Sequence, residues 1–164
     1  MSGDPQLIAV AKALVDQLRA KDLKLATAES CTGGLIAGAI TEIAGSSDVF
    51  DRGFVTYSNE AKAELLGVPP ALIAAHGAVS PEVARAMAAG ALRNSRADIA
   101  VAVTGVAGPG GGTALKPVGL VYLCAAQRGS VPVVEELRLS AIGRGPIRRA
   151  TVLKAMEIVG YFAI

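Results

Sequence analysis

Residues 97–104 read Ala-Asp-Ile-Ala-Val-Ala-Val-Thr, an almost continuous apolar run. A strand of this kind is buried on both faces, so it must lie inside a sheet that other elements cover from each side. The neighbouring segments supply that cover. Asp4-Pro5 opens a helix, Asp as the cap and Pro in the first turn, and Leu7, Ala11, Leu14, Val15 and Leu18 follow at helical spacing. Residues 23–29 read as a buried strand, 34–44 as a helix closed by Gly45, and 52–57 as a second strand. Ser58 and Asn59 cap a helix through Leu66, which Gly67-Val-Pro-Pro breaks. Ser80-Pro81-Glu82 starts a helix to about Arg93: a capping side chain, Pro at the first position, and an acid near the positive end of the dipole. Strands at 119–126 and 132–139 flank a Gly-Ser turn, and a helix occupies about 146–161.

The order is αβαβααβββα, with no linker and no repeat. Alternation in the first half predicts parallel strands under crossover helices, and the short turn late in the chain predicts antiparallel neighbours. The expectation is an α/β fold, a three-layer α/β/α sandwich with a mixed sheet of about five strands in one domain over residues 1–164. The ends of its first three strands carry Ser30, Tyr57 and Thr104. In open α/β sheets the ligand crevice lies beyond the strands' carboxyl ends, so these residues point to one edge.

Composition excludes several function classes. A formal charge of +2, with basic residues scattered apart from Arg138, Arg144, Arg148, Arg149 and Lys154, is too weak for a nucleic-acid footprint but enough for a small phosphate. Two cysteines, Cys31 and Cys124, make neither a disulfide framework nor a CxxC pair, and one His leaves no His-based metal site; no metal and no cofactor are expected. No apolar run approaches the ~20 residues of a membrane span, and the first residues lack the basic region of a signal peptide. A cytoplasmic homo-oligomer acting on a small molecule is expected, with no nucleic-acid or membrane partner.

Residues 27–34 read Thr-Ala-Glu-Ser-Cys-Thr-Gly-Gly, between an apolar run and the amphipathic LIAGAITEIAG. This is a strand delivering a polar loop to a helix N-terminus, where backbone N–H groups and the dipole favour an anion or a developing negative charge. Glu29, Thr32, Gly33 and Gly34 are accordingly candidate substrate contacts. Glu29 could accept from a ribose hydroxyl, position another group, or serve as a cap partner. Ser30 reads equally as a helix cap and as a nucleophile. Cys31 is the better intrinsic nucleophile but would want a His partner, and the only one, His76, reads as a loop or ligand contact.

Without an imidazole, a Ser–Lys pair becomes attractive, since a desolvated Lys loses charge and can accept a proton. Lys62 sits in the first turn of the helix after Tyr57, where the dipole opposes its charge; the other reading is a solvated surface Lys. The loop Gly105–Gly119 is too long for an ordinary hairpin and lacks P-loop order, so Thr104, Gly105 and its other glycines could offer backbone N–H groups to an oxyanion or phosphate. Arg144 and Arg148, spaced i, i+4, could clamp a phosphate.

Four blocks bear on identity: AESCTGG at 28–34, AGSSDVFDRGFVTYSNEAKAELLGV at 44–68, HGAVSPEVA at 76–84 and VTGVAGPGGGTALKPVG at 103–119. Together they resemble the CinA C-terminal family, whose enzymatically characterised members are nicotinamide-nucleotide amidases. The resemblance implies hydrolysis of nicotinamide mononucleotide to nicotinate mononucleotide and ammonia, and a three-layer fold with a five-stranded mixed sheet. It places the nucleophile on Ser30, its base on Lys62 and Tyr57 nearby. The stretch AIGRGPIRRAT departs from the family's GDR-like sequence, so Arg144 stands without an acidic neighbour. The chain resembles the amidase domain standing alone. The alternative is a catalytically silent pyridine-nucleotide-binding or regulatory module.

Overall fold

A computed structural model of the chain describes residues 3–140 and 142–164; Met1, Ser2 and Ala141, the last at the start of AIGRGPIRRAT, lie outside them. The apolar run at 97–104 becomes β3 (Ile99–Gly105), the middle strand of a five-stranded sheet. Its neighbours are β1 (Leu25–Glu29) on one side and β4 (Leu120–Gln127) on the other, with β2 (Phe50–Val55) and β5 (Val133–Arg138) at the edges. β1 runs parallel to both β2 and β3, whereas β3, β4 and β5 are antiparallel neighbours, so the sheet is mixed.

Period-two alternation divides β3 between two cores. Ile99, Val101 and Val103 face α1 (Pro5–Ala20), α2 (Leu35–Thr41) and α6 (Arg144–Gly160). Ala100 and Ala102 face the other layer, α3 (Asn59–Leu66), α4 (Pro70–His76) and α5 (Pro81–Arg93). On that second face the side chains are small, and α5 brings Ala84, Ala88, Gly90 and Ala91 inward. Gly90 is the tightest point: a Cβ there would lie 2.0 Å from the backbone oxygen of Leu66 on α3. The absent side chain lets α3 settle directly on α5, which fixes where α3 can stand.

The caps act as the sequence predicts. Asp4 accepts from the amides of Gln6 and Leu7, Ser58 from Ala61, and Ser80 from Val83. Arg149 of α6 pairs with Asp4, joining the first and last helices. One α-helix is additional: α4 begins with Pro70 at its first position, where the sequence suggests only a break. β2 starts two residues earlier than expected and ends at Val55, leaving Tyr57 beyond the strand. Among the described residues no helix is long and apolar enough to cross a membrane.

Candidate active site

Ser30 follows the last residue of β1. Its amide donates to Val103 O at 3.0 Å, continuing the β3 ladder for one more residue, and then the chain turns. The turn closes with Gly33 N donating to Ser30 O at 3.0 Å, and Gly34 takes φ 97°, a left-handed conformation that admits Gly before α2. Ser30 is 9% exposed, at the floor of a cleft.

Lys62 reaches the same point from the other layer. Its side chain is 1% exposed, and Nζ lies 3.2 Å from Ser30 Oγ. It also donates to Thr56 O at 3.0 Å and approaches the carbonyls of Tyr57 and Ser58 at 3.4 Å. No carboxylate lies within salt-bridge distance among the described residues. Burial therefore holds its pKa below the ordinary lysine value, against smaller opposing effects of Cys31 and Glu60. A neutral amine there would spend its two N–H bonds on carbonyls and turn its lone pair to Ser30.

Cys31 is the reverse case. Burial pushes its thiol up to about 12, with the charge of Glu29 adding to the rise, so it remains a thiol at neutral pH. A thiol in that state is a poor nucleophile.

Ser30 and Lys62 open into a cavity of about 310 Å³, at the small end of the ~300–1,000 Å³ of small-molecule sites. Tyr57, Thr104, Gly105 and Arg144 line it with them, as do Asn59, Ala78, Val79 and Ala107. Arg144 spans the mouth: Nη1 donates to Gly108 O at 2.7 Å and Nη2 to the hydroxyl oxygen of the exposed Tyr57 at 3.0 Å. Thr104 Oγ1 donates to Ala78 O at 2.8 Å, tying the end of β3 to the segment before α5. Gly105 must lack a side chain, since a Cβ would meet Val121 at 2.7 Å and Leu120 O at 2.9 Å. The arrangement can move a proton from a hydroxyl to an amine and hold an anion at the mouth with a guanidinium.

Five residues named from sequence as substrate contacts lie outside the cavity lining, each for a visible reason. Of the roles open to Glu29, the structure gives that of cap partner. It is fully buried, and its carboxylate accepts from the amides of Gly34 (3.1 Å), Ile36 (3.0 Å) and Ala37 (2.9 Å). The α2 N-terminus is thereby already occupied by an anion. Thr32 is fully buried with Oγ1 unpartnered, and the amides of Gly33 and Gly34 are spent within the turn. Arg148 turns away from the mouth: Nε donates to Cys31 O at 3.0 Å and Nη2 to Thr32 O at 2.9 Å. His76 also lies outside the cavity, at the end of α4, with Nδ1 3.7 Å from Glu82.

Asn59, Ala78 and Val79 were not identified from sequence as site residues. The signal for Asn59 is its place three residues before Lys62 in one helical turn, which puts both on one face. For Ala78 and Val79 it is adjacency to the Ser80 cap, which brings the start of α5 to the strand ends.

The family described as "CinA C-terminal domain" matches residues 7–162. A CinA-like protein of Geobacter sp. is 63% identical over 116 residues, 71% of this chain and 28% of that protein. One of Mycobacterium marinum is 54% identical over 148 residues, 88% of this chain and 35% of that protein. The chain thus spans about a third of the length of these relatives. Among solved structures, the competence/damage inducible protein CihA from Agrobacterium tumefaciens superposes with a TM-score of 0.92 at 54% identity, covering 93% of each chain. A CinA superfamily protein from Klebsiella pneumoniae superposes with a TM-score of 0.90 at 34% identity, covering 96% of this chain and 97% of that one.

Proposed function

This chain belongs to the CinA C-terminal domain family, and on that premise we propose that it hydrolyses the carboxamide of nicotinamide mononucleotide, giving nicotinate mononucleotide and ammonia. The observation that carries the proposal is the buried approach of Lys62 Nζ to Ser30 Oγ at 3.2 Å, opening into a cavity whose mouth holds Arg144. The choice of substrate rests on the family resemblance.

Neutral Lys62 takes the Ser30 proton as Oγ attacks the amide carbon. The tetrahedral adduct expels ammonia, which leaves with the proton returned by Lys62. The resulting nicotinoyl ester is cleaved by water, with Lys62 again accepting a proton and returning it to Oγ. Backbone donors of the turn after Ser30 hold the oxyanion. Tyr57 supports the dyad through its carbonyl, near Lys62 Nζ, and walls the cavity with its ring. Arg144 is poised to exchange Tyr57 and the Gly108 carbonyl for the 5′-phosphate, a charge-assisted contact.

The test is release of ammonia from nicotinamide mononucleotide by the purified chain, with nicotinate mononucleotide formed in equal amount. A protein that binds the nucleotide and leaves the amide intact refutes the reading and favours a silent binding module.

A further inference from the structure

The side chain of Arg148 plays no part in lining the cavity, yet it is the only cationic group bonded to the turn that follows the nucleophile among the described residues. We propose that Arg148 is a positioning residue that, by holding the carbonyls of Cys31 and Thr32, fixes the turn whose Cys31 amide serves as the oxyanion donor. The proposal rests on the Ser30 acyl-transfer reading above.

In a trans peptide the C=O of one residue and the N–H of the next point in opposite directions across a rigid plane. Fixing a carbonyl therefore aims the following amide. Ser30 O is held by Gly33 N at 3.0 Å, which turns the Cys31 N–H the other way. Cys31 O is held by Arg148 Nε at 3.0 Å, which does the same for the Thr32 N–H. Thr32 O is held by Arg148 Nη2 at 2.9 Å and by Leu35 N at 3.2 Å. Three successive peptide planes are thus locked, two of them through one guanidinium, and the hold on Thr32 O aims the Gly33 amide that in turn fixes Ser30 O.

Every other amide of the turn is committed. Ser30 N donates to Val103, Gly33 N to Ser30, Gly34 N to Glu29 and Leu35 N to Thr32. The Cys31 amide has only its own thiol nearby, a weak acceptor, and the Thr32 amide has no acceptor among the described residues. Buried amides are rarely left in that state without a purpose. Cys31 lies beside Ser30 in the cavity wall, where charge develops on the oxygen of the attacked carbonyl. Glu29 completes the device: by holding the α2 amides it leaves the Cys31 amide as the donor in the cavity wall without a strong partner.

A fork is needed for this task. Arg148 reaches two carbonyls on consecutive residues with a planar, two-pronged donor, and an ammonium would be a single point. Arg148→Lys and Arg148→Met should accordingly both lower kcat for nicotinamide mononucleotide, Met by about a hundred-fold, the scale of a 1 Å misplacement at a reacting centre, and Lys by less. KM should stay near the wild-type value, and nicotinamide riboside, which lacks the phosphate, should lose the same factor. A rise in KM confined to the phosphorylated substrate would overturn the proposal and return Arg148 to a phosphate clamp.

A second readout does not depend on turnover. In the folded Arg148→Met protein the backbone amide proton and nitrogen shifts of Cys31 and Thr32 should move, while those of the β4–β5 hairpin stay in place. Unchanged shifts at both residues would overturn the proposal even if activity fell. A wild-type protein inactive on the nucleotide would refute the amidase reading alone, and the amide shifts would still decide whether Arg148 sets the turn.

Discussion

Replacing Gly90 by Ala should damage catalysis from a residue that does not line the cavity. A Cβ at position 90 would stand 2.0 Å from Leu66 O and 2.8 Å from the Leu66 carbonyl carbon, both backbone atoms that cannot rotate aside. Restoring an ordinary contact of 3.4 Å requires α3 and α5 to part by about 1.4 Å (3.4 minus 2.0). Overpacking of that kind costs about 1–3 kcal/mol, and a backbone obstacle places it near the top of the range. Exchanging Gly for Ala within a helix returns about 1 kcal/mol. The net loss is about 2 kcal/mol, which for a domain of this size lowers Tm by about 4–8 °C. The bond from Arg93 to Leu66 O, now 3.1 Å, is strained as well.

The larger effect falls on rate, because α3 carries Lys62. A shift of even 1 Å takes Nζ out of the 3.2 Å contact with Ser30, and misplacement on that scale costs about a hundred-fold in kcat. The assay is thermal unfolding beside steady-state deamidation, with Gly38→Ala as the control. A Cβ at Gly38 meets nothing within 4 Å, so that variant should be neutral or stabilised by about 0.4–1 kcal/mol. A Gly90→Ala protein with wild-type Tm and wild-type kcat would refute the reasoning.

Ser30→Ala should abolish turnover and leave unfolding unchanged, while Cys31→Ala should keep substantial activity because its thiol, raised to about 12, supplies no thiolate; the reverse pattern would establish cysteine chemistry. Lys62→Arg should be nearly as inactive as Lys62→Ala, and the wild-type rate should climb with pH along a limb lying below the ordinary lysine value, since the depressed Lys62 loses its proton as pH rises; a pH-independent rate across that range would remove Lys62 as the base. Arg144→Ala should raise KM for nicotinamide mononucleotide about ten- to a hundred-fold, equivalent to about 1.5–3 kcal/mol, and barely affect the riboside; equal losses on both would remove the phosphate contact. Asp4 has its folded pKa lowered to about 2, first by its bond to Arg149, so its contribution is complete above its unfolded value and is lost as pH falls from about 4 through 2. Acid unfolding followed by circular dichroism should therefore differ between wild type and Asp4→Asn above pH 4, with the two curves converging below pH 2.

The fold was legible where one local rule was decisive. Asp4-Pro5 and Ser80-Pro81-Glu82 announce α1 and α5 because capping chemistry lies within four residues of sequence. The β3 run discloses its burial because a strand open to solvent could not be apolar on both faces. The helix α4 was hidden because Gly67-Val-Pro-Pro ends one helix and starts the next within four residues, and a proline at a first helical position looks locally like a proline that breaks.

The site was legible as a set of strand ends and illegible in its division of labour. Glu29 beside Ser30 invites a chemical role, but its partners are amides five to eight residues later that gather round it only when the turn forms. Arg144 and Arg148 share a helix face, which suggests a joint clamp. One turn of helix separates them by about 6 Å along the axis, enough that the first residue of α6 reaches the cavity mouth and the second meets the turn behind it. Sequence spacing gives the common face and leaves out what stands opposite each residue.

The bracing of the Ser30 turn by α6 also bears on when the chain becomes competent. Cys31 and Arg148 are 117 residues apart in sequence, so a nascent polypeptide presents Ser30, and soon Lys62, long before the guanidinium that braces the turn has been synthesised. The strands and α3 could gather the dyad, but the peptide planes beside the nucleophile stay unlocked until the last helix docks on the first. On the proposed acyl-transfer reading, synthesis from N- to C-terminus would then act as a timer: an unfinished chain would carry the serine and its base with no settled place for the charge that attack would create.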